Sequence, residues 1–493
     1  MDSLLQRIPQ KFWAYLALII WGVLCFKLLS SQPYGIDEGA ARALLLVWSV
    51  AGDVVSPVVT LGLPDFRTLF FIPAGYLWPG NIVAAKIFSL LIMASAVWAL
   101  HRWRQESGNT ESALIASGLL LISPLTVMQI DTVSVAPYML LVFAWGAWLD
   151  RLYRDTPRAF GGLYFFQIIL CLISTTLHPA GLAYPLALLW GWHKNPVDEK
   201  QKKYFISGII FTLIFGLLLT MGWSHISWLS NPFRSLSGIF SGTPDAGNDL
   251  SIGRWLLGIG IFIIAASIIA KKSRELRKDT LGRILLIAFV TGLFSGDANW
   301  AELSLTLSLY WGLPLLLQSD DTGSGFWGQR GPALLLIFGF SIFSMLADKA
   351  HYLSVQSEYL VPRDSLLKTF AEDSGYFPDE KSILGKSTDS TDNKRSIKVA
   401  SQWPGLTMLA CRCDAFPLPK PDLAKDGNSL LAILKNIDFV IFDPKDPSNS
   451  SLSQNLAIAD AEKIETVSLQ PGGAIVRIKK PQEYLPHAST QNK

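Results

Sequence analysis

The sequence predicts a polytopic α-helical membrane protein, with about 11 transmembrane helices and a small C-terminal α/β domain outside the membrane. Three observations predict it. Half of the 493 residues are hydrophobic and only 16% are charged, against about 25% in an ordinary soluble domain. The apolar residues gather into runs of spanning length. The Lys and Arg residues between those runs fall mainly on one side. The same composition, with mean hydropathy +0.33, excludes a disordered chain and a disulfide-stapled secreted module. A net charge of +3 is too small and too evenly balanced for a nucleic-acid partner.

A spanning helix needs about 20 mostly apolar residues. Apolar runs lie at about 12–29, 82–100, 112–128, 133–150, 161–177, 180–193, 204–223, 254–270, 283–296, 301–317 and 333–348. Runs 180–193 and 283–296 are the shortest candidates for separate spans. Arg7 and Lys11 precede the first run and no small-residue cleavage site follows it, which reads as an uncleaved signal anchor. With the N-terminus cytoplasmic and the runs alternating, the inner segments hold 18 Lys and Arg. The outer segments before the tail hold only Arg42, Arg67, Arg234 and Arg254. The positive-inside rule therefore fixes the orientation, and an odd number of spans puts the tail outside. The expected division is a membrane domain, 1–349, and a periplasmic domain, 350–493, on a bacterial-type inner-membrane protein.

The tail has 17 Lys/Arg and 18 Asp/Glu and no spanning run. Ile397–Ser401 reads as a strand, Leu423–Asn436 as a helix, and Ile437–Asp443 as a buried strand. Lys463–Leu469 and Ala474–Lys480 flank Gln470–Gly473, a hairpin signal. Lys386–Arg395 reads as a mobile loop. Cys411 and Cys413 are two residues apart, a spacing too short for an easy disulfide.

The first outer segment, 31–81, is the most informative. Asp37 and Glu38 follow directly on the first span. Two apolar segments come next, Ala40–Val50 and Phe66–Leu77, each suited to a helix lying in the membrane interface. An acidic pair at the water–lipid boundary can take a proton from a hydroxyl nucleophile. The same two acids also suit the N-terminus of a helix, and one carboxylate can do both. The cytoplasmic loops are short and basic, with no Walker loop, zinc-ligand spacing or G-x-S-x-G. Chemistry is therefore expected at the outer face, where nucleotide sugars are absent and a transferase needs a lipid-carried donor.

The layout resembles the GT-C glycosyltransferases of the dolichyl-phosphate-mannose and aminoarabinose transferase kind. Tyr34–Gly35–Ile36–Asp37–Glu38 is similar to that family's acidic pair after the first span, and Asn81–Leu100 to its second span. Leu121–Leu125 with Asp131 resembles its Ser-Pro motif and the turn after it. Leu177–Gly181, with His178 and Pro179, and Tyr310–Pro314 resemble two later elements. In the tail, Val399–Gly405 and Asp438–Ile441 resemble strands of such outer domains. The chain departs from the pattern at Leu63–Phe66, where relatives often carry a His-Pro-Pro or Lys-Pro motif. It also lacks an Arg beside Tyr310, with Glu302 at the outer end of that span.

The resemblance implies an inverting transfer of a sugar from a polyprenyl-phosphate donor to a glycan, lipid or protein acceptor. Asp37 would be the general base, with Glu38 beside it in the catalytic pair. Substrate and phosphate contacts would come from Arg67, Lys86, Asp131, His178 and Glu302, since cations must stabilise the departing phosphate. Each has a plainer reading. Arg67 can pair locally with Asp65. Lys86, costly within an apolar run, can snorkel to the interface. Asp131 can cap the next helix, and His178 can be a satisfied polar residue at a helix end. A divalent metal between Asp37 and another carboxylate stays open, although a hard cation prefers several oxygen ligands and no such set is visible. Two rival functions are weighed against the enzyme: a catalytically silent envelope-assembly scaffold, and a secondary transporter. A transporter should carry mid-membrane ionisable groups and repeated halves, which this sequence does not show.

Overall fold

The computed structural model describes residues 35–50, 67–78, 81–105, 124–155, 160–192, 199–221, 280–295, 356–373, 397–411, 413–419, 426–446, 449–459, 464–470 and 472–479, with a few single positions between them. The apolar runs 254–270, 301–317 and 333–348, most of 12–29, the loop Lys386–Arg395, and residues Glu302 and Tyr310 lie outside the described residues. Two compact units emerge, one of Met1–Ser31 with Lys86–Tyr352 and one of Gln32–Ala85 with Leu353–Lys493. The units do not follow the sequence division at 349/350. Residues 32–85 go with the tail because their first helix shares a core with it, as described below.

The first unit is helical. Helices α3 (Ile82–Gln105), α4 (Pro124–Asp131), α5 (Ala136–Asp155), α6 (Phe160–Leu177), α7 (Ala183–Trp192), α8 (Glu199–Met221) and α9 (Thr280–Ser295) follow the apolar runs. Among the described residues α3 alone is long and apolar enough to cross a membrane by length and composition, with shorter apolar stretches at Tyr164–Leu177, Ala180–Gly191 and Lys203–Phe215. Trp98 of α3 meets Trp145 and Trp148 of α5 at ring-centroid distances of 5.6 and 5.3 Å. The Trp145 indole N–H, which needs a partner when it leaves water, donates to Ser95 Oγ at 3.2 Å. Tyr164 of α6 packs on Phe205 of α8 at 5.1 Å.

The second unit opens with α1 (Glu38–Val50) and α2 (Arg67–Leu77), the two helices expected in the first outer segment. A π-helical turn, Gln356–Leu360, leads into α10 (Val361–Asp373). The rest is an α/β fold: β1 (Lys398–Ser401), α11 (Pro404–Cys411), β2 (Asp414–Pro417), α12 (Gly427–Ile433), β3 (Phe439–Phe442), α13 (Ser450–Ile458), β4 (Ile464–Gln470) and β5 (Gly473–Ile478). The sheet order is β2-β1-β3-β5-β4. The first three strands run parallel, and β5 lies antiparallel to both β3 and β4.

The expected strands and hairpin are therefore present. The expected helix at 423–436 starts later, because Asp426 supplies an N-cap. Its carboxylate accepts the Ser429 N–H at 2.7 Å while the Ser429 hydroxyl accepts the Asp426 N–H at 3.1 Å, a reciprocal capping box. The period-2 alternation of strand side chains sends Ala400, Val440, Phe442, Val476 and Ile478 into one core with Leu430 and Leu434 from the α12 segment and Leu452 and Leu456 of α13. On the other face Phe370 of α10 meets Phe439 edge to face at 5.3 Å. There Met408 of α11 and Ala415 of β2 close over Leu45 of α1, which explains why the first outer segment belongs to this unit.

Cys411 and Cys413 form a disulfide, against the expectation from their spacing. Helix α11 ends at Cys411 and the chain turns directly into β2, which leaves the two Cα atoms 5.2 Å apart, inside the range a disulfide spans.

Candidate active site

Asp37 is the last residue before α1, and it starts that helix. Its carboxylate accepts the Ala40 N–H and its carbonyl accepts the Ala41 N–H at 3.0 Å. This is the N-cap role the sequence allowed. Arg67, at the start of α2, donates to both carboxylate oxygens of Asp37 at 3.2 and 3.0 Å. The Arg67 side chain is only 4% exposed, whereas that of Asp37 is 35% exposed. The cation is thus enclosed while its partner keeps an open edge. A Cβ at Gly39 would stand 2.2 Å from Arg67 Nη2, so the missing side chain at position 39 lets the guanidinium reach Asp37. The structure pairs Arg67 with Asp37; Asp65 lies outside the described residues.

Glu38 points elsewhere. Its Oε1 accepts the Gly405 N–H at 2.6 Å and its Oε2 the Leu406 N–H at 3.1 Å, the first amides of α11. It also pairs with Arg42, one turn along α1, at 2.9 Å. An anion at a helix N-terminus meets both the open N–H groups and the helix dipole. Desolvation pushes the Glu38 carboxyl above the ordinary carboxylate range, against the Arg42 charge and the two amides that pull it down. The two neighbouring acids have divided their work: Asp37 faces an open edge, and Glu38 ties α1 to α11.

Sequence reasoning missed a third pair of side chains that meets this loop. Asp364 on α10 accepts the Gly35 N–H at 2.7 Å, and the buried Arg363 donates to the Ile36 carbonyl at 3.2 Å. Arg363 is also bonded to Asp364, at 2.9 and 2.8 Å. In the sequence Arg363 and Asp364 are two charges in a charge-balanced tail, and nothing in their spacing pointed to residues 35 and 36.

The other expected contacts fall in the first unit. Lys86 does not snorkel; its fully buried ammonium donates to Asp131 Oδ1 at 2.6 Å. Asp131 ends α4 and does not cap the next helix, since Ser134 Oγ accepts the Ala136 N–H there at 3.2 Å. His178 Nδ1 accepts the Ala180 N–H at 3.1 Å and so caps the short 3-10 helix Pro179–Leu182. Among the described residues, no three His, Cys, Asp or Glu side chains gather as a set that could hold a metal ion.

No protein-family model matches the sequence, and no curated protein matches it at a significant level. Solved structures do. The Archaeoglobus fulgidus oligosaccharyltransferase AglB, in complex with an inhibitory peptide and a dolichol-phosphate, is 11% identical. The match covers 88% of this chain and 70% of that one, with a TM-score of 0.56. ArnT from Cupriavidus metallidurans, bound to undecaprenyl phosphate, is 13% identical over 95% of this chain and 98% of that one, with a TM-score of 0.53. The arabinofuranosyltransferase AftD from Mycobacteria is 15% identical over 95% of this chain and 40% of its own length, with a TM-score of 0.50. All three have the GT-C fold, and the fold of this chain is the one its sequence resembles.

Proposed function

We propose that the protein is a membrane glycosyltransferase that moves a sugar from a polyprenyl-phosphate donor to an acceptor hydroxyl, with Asp37 as general base. The observation that carries this proposal is the partly exposed Asp37 carboxylate, held by an enclosed Arg67 and a helix N-terminus. In the reaction the acceptor O–H gives its proton to Asp37 as its oxygen attacks the anomeric carbon from the face opposite the phosphate. The bond from that carbon to the phosphate oxygen breaks, the electron pair leaves with polyprenyl phosphate, and the configuration inverts. Arg67 orients the base and Glu38 anchors the helix that follows it. His178, Lys86, Asp131 and Glu302 are proposed on the substrate side as the resemblance assigns them.

The lipid character of the donor is supported by the complexes of ArnT with undecaprenyl phosphate and AglB with a dolichol-phosphate. An inner-membrane location with about eleven spans and a periplasmic tail belongs to the same proposal. The Cys411–Cys413 disulfide supports it, since disulfides persist in oxidising compartments. The experiment is transfer from undecaprenyl-phosphate-linked sugars by the wild type and by Asp37→Asn. A loss of about 10²–10⁴-fold is expected for the variant, and undiminished transfer would overturn the mechanism.

One observation favours a second reading, a transfer-silent scaffold of envelope assembly. A carboxylate that caps a helix and pairs with a buried arginine already has a structural role. In that case neither protein transfers sugar, and Asp37→Asn alters stability alone.

A further inference from the structure

Residues 35 and 36, which deliver the chain to Asp37, are each held at one backbone polar group by one dyad. The Gly35 N–H is accepted by Asp364 Oδ2 at 2.7 Å, and the Ile36 carbonyl accepts from Arg363 Nη2 at 3.2 Å. The two side chains also hold each other. Arg363 Nε and Nη2 lie 2.9 and 2.8 Å from Asp364 Oδ1, so two guanidinium nitrogens converge on one carboxylate oxygen and the other oxygen takes the Gly35 N–H. Arg363 is buried, and the ring of Tyr359 lies beneath it with its centroid 6.0 Å away. Gly35 itself has φ +92°, a left-handed conformation open to glycine, so the loop holds this turn with help from outside. Ile36 is buried beside it.

The dyad therefore fixes the approach to Asp37 on one side, and the first turn of α1 fixes the departure on the other. The carboxylate sits between two clamped segments, and Arg67 orients it from a third direction. A base must lie within hydrogen-bond reach of the proton it takes, and a displacement of about 1 Å can cost 10²-fold in rate. Arg363 and Asp364 meet the loop through its backbone, at Gly35 and Ile36, so their proposed effect on the chemistry runs through Asp37.

We propose that Arg363 and Asp364 are positioning residues for Asp37, so that the C-terminal domain supplies part of the framework of the transfer site. This rests on the assignment of Asp37 as general base. It differs from that assignment in giving the tail a direct share in turnover.

The test uses the full-length protein in lipid nanodiscs with undecaprenyl-phosphate-linked sugars as donors. Wild type, Asp37→Asn, Asp364→Asn and Asp364→Glu are compared for kcat and donor KM. Deuterium exchange is followed at residues 35–41, and at the sheet residues 439–442 and 473–478. Asp364→Asn is expected to lower kcat at least tenfold with KM within about twofold. Exchange should rise at 35–41 and stay unchanged in the sheet, and Asp364→Glu should recover part of the rate. If Asp364→Asn does not accumulate, Arg363→Lys, which keeps the charge and loses the paired guanidinium nitrogens, is read the same way. An unchanged kcat in an otherwise active protein overturns the inference. So does a loss accompanied by faster exchange throughout the sheet, which is a folding defect. If Asp37→Asn is inactive and Asp364→Asn is normal, the positioning role alone falls. If Asp37→Asn turns over like the wild type, the general-base assignment falls and the positioning role falls with it.

Discussion

Glu38 and Gly405 are joined by a 2.6 Å hydrogen bond across 367 positions of sequence, with the carboxylate of one placed on the N–H of the other, the first amide of α11 after Pro404. Replacing Glu38 with Ala leaves the Gly405 and Leu406 amides without this acceptor and removes the Glu38–Arg42 ion pair. A loss of about 1–3 kcal/mol is expected, read as a lower melting temperature of the purified protein. Equal melting temperatures would show that α11 does not depend on this anchor.

The same carboxyl has a pH signature. Desolvation raises its pKa in the folded protein above the ordinary value of 4.5. In the window above that value the folded state binds more protons than the unfolded chain, so stability linked to Glu38 is greatest on the acid side and declines as pH rises. Glu38→Gln keeps an acceptor oxygen and has no proton to lose. Its melting temperature should decline less than the wild type's across that window. Parallel curves would remove Glu38 as the source.

Lys86 and Asp131 are buried together, so single replacements strand a charge. Lys86→Met or Asp131→Leu is expected to cost about 3–5 kcal/mol, and the double replacement to recover most of it. Denaturation of all three variants in one detergent measures this. Additive losses would mean that the two residues act separately.

Gly35→Ala places a Cβ on a residue at φ +92°, which costs about 1–2 kcal/mol. Its effect on transfer should exceed its effect on melting, because the loop that carries Asp37 takes the distortion. A variant that transfers normally would show the turn to be dispensable.

Helix α2 turns Arg67 and Phe71 inward and leaves Leu69, Ile72, Tyr76 and Leu77, with Trp78 just beyond its end, exposed. That band suits the headgroup region. With Trp78 as the single tryptophan retained, brominated lipids should quench its fluorescence, and aqueous acrylamide should do so only weakly. The reverse ranking would place this face in water.

Local pattern made part of this legible. The stretch Ile437–Asp443 holds a continuous apolar run of four, the mark of a buried strand, and it became the central strand β3. The turn residues 470–473 produced the hairpin. Asp37 and Glu38 stood out because two acids follow directly on an apolar run. Their division of labour was not legible, because the partners of Glu38 are backbone amides, which have no residue type to recognise. Arg363 and Asp364 were equally hidden: a charged pair in a charge-balanced tail has the composition of a solvated face, and only the fold brings it to residue 35. Lys86 was noticed for its cost in an apolar run, and Asp131 as a helix cap or a substrate contact, but nothing in a spacing of 45 residues joined the two. The cysteine pair was misjudged because spacing alone ignores how a helix end turns into a strand.

The compact unit that holds the acidic loop is assembled from Gln32–Ala85 and Leu353–Lys493, so its first part leaves the ribosome long before its last. While residues 86–352 are being synthesised, Glu38 has no α11 to cap and Gly35 no Asp364 to meet. The loop's full set of contacts can form only after α10 and α11 have been translated. The central strand β3 gains its antiparallel partner later still, when Ile478 emerges. A ribosome stalled before α10 emerges carries a complete Asp-Glu motif in a nascent chain that cannot yet shape it. Biogenesis itself thus delays assembly of the proposed catalytic loop until α10 and α11 have been made.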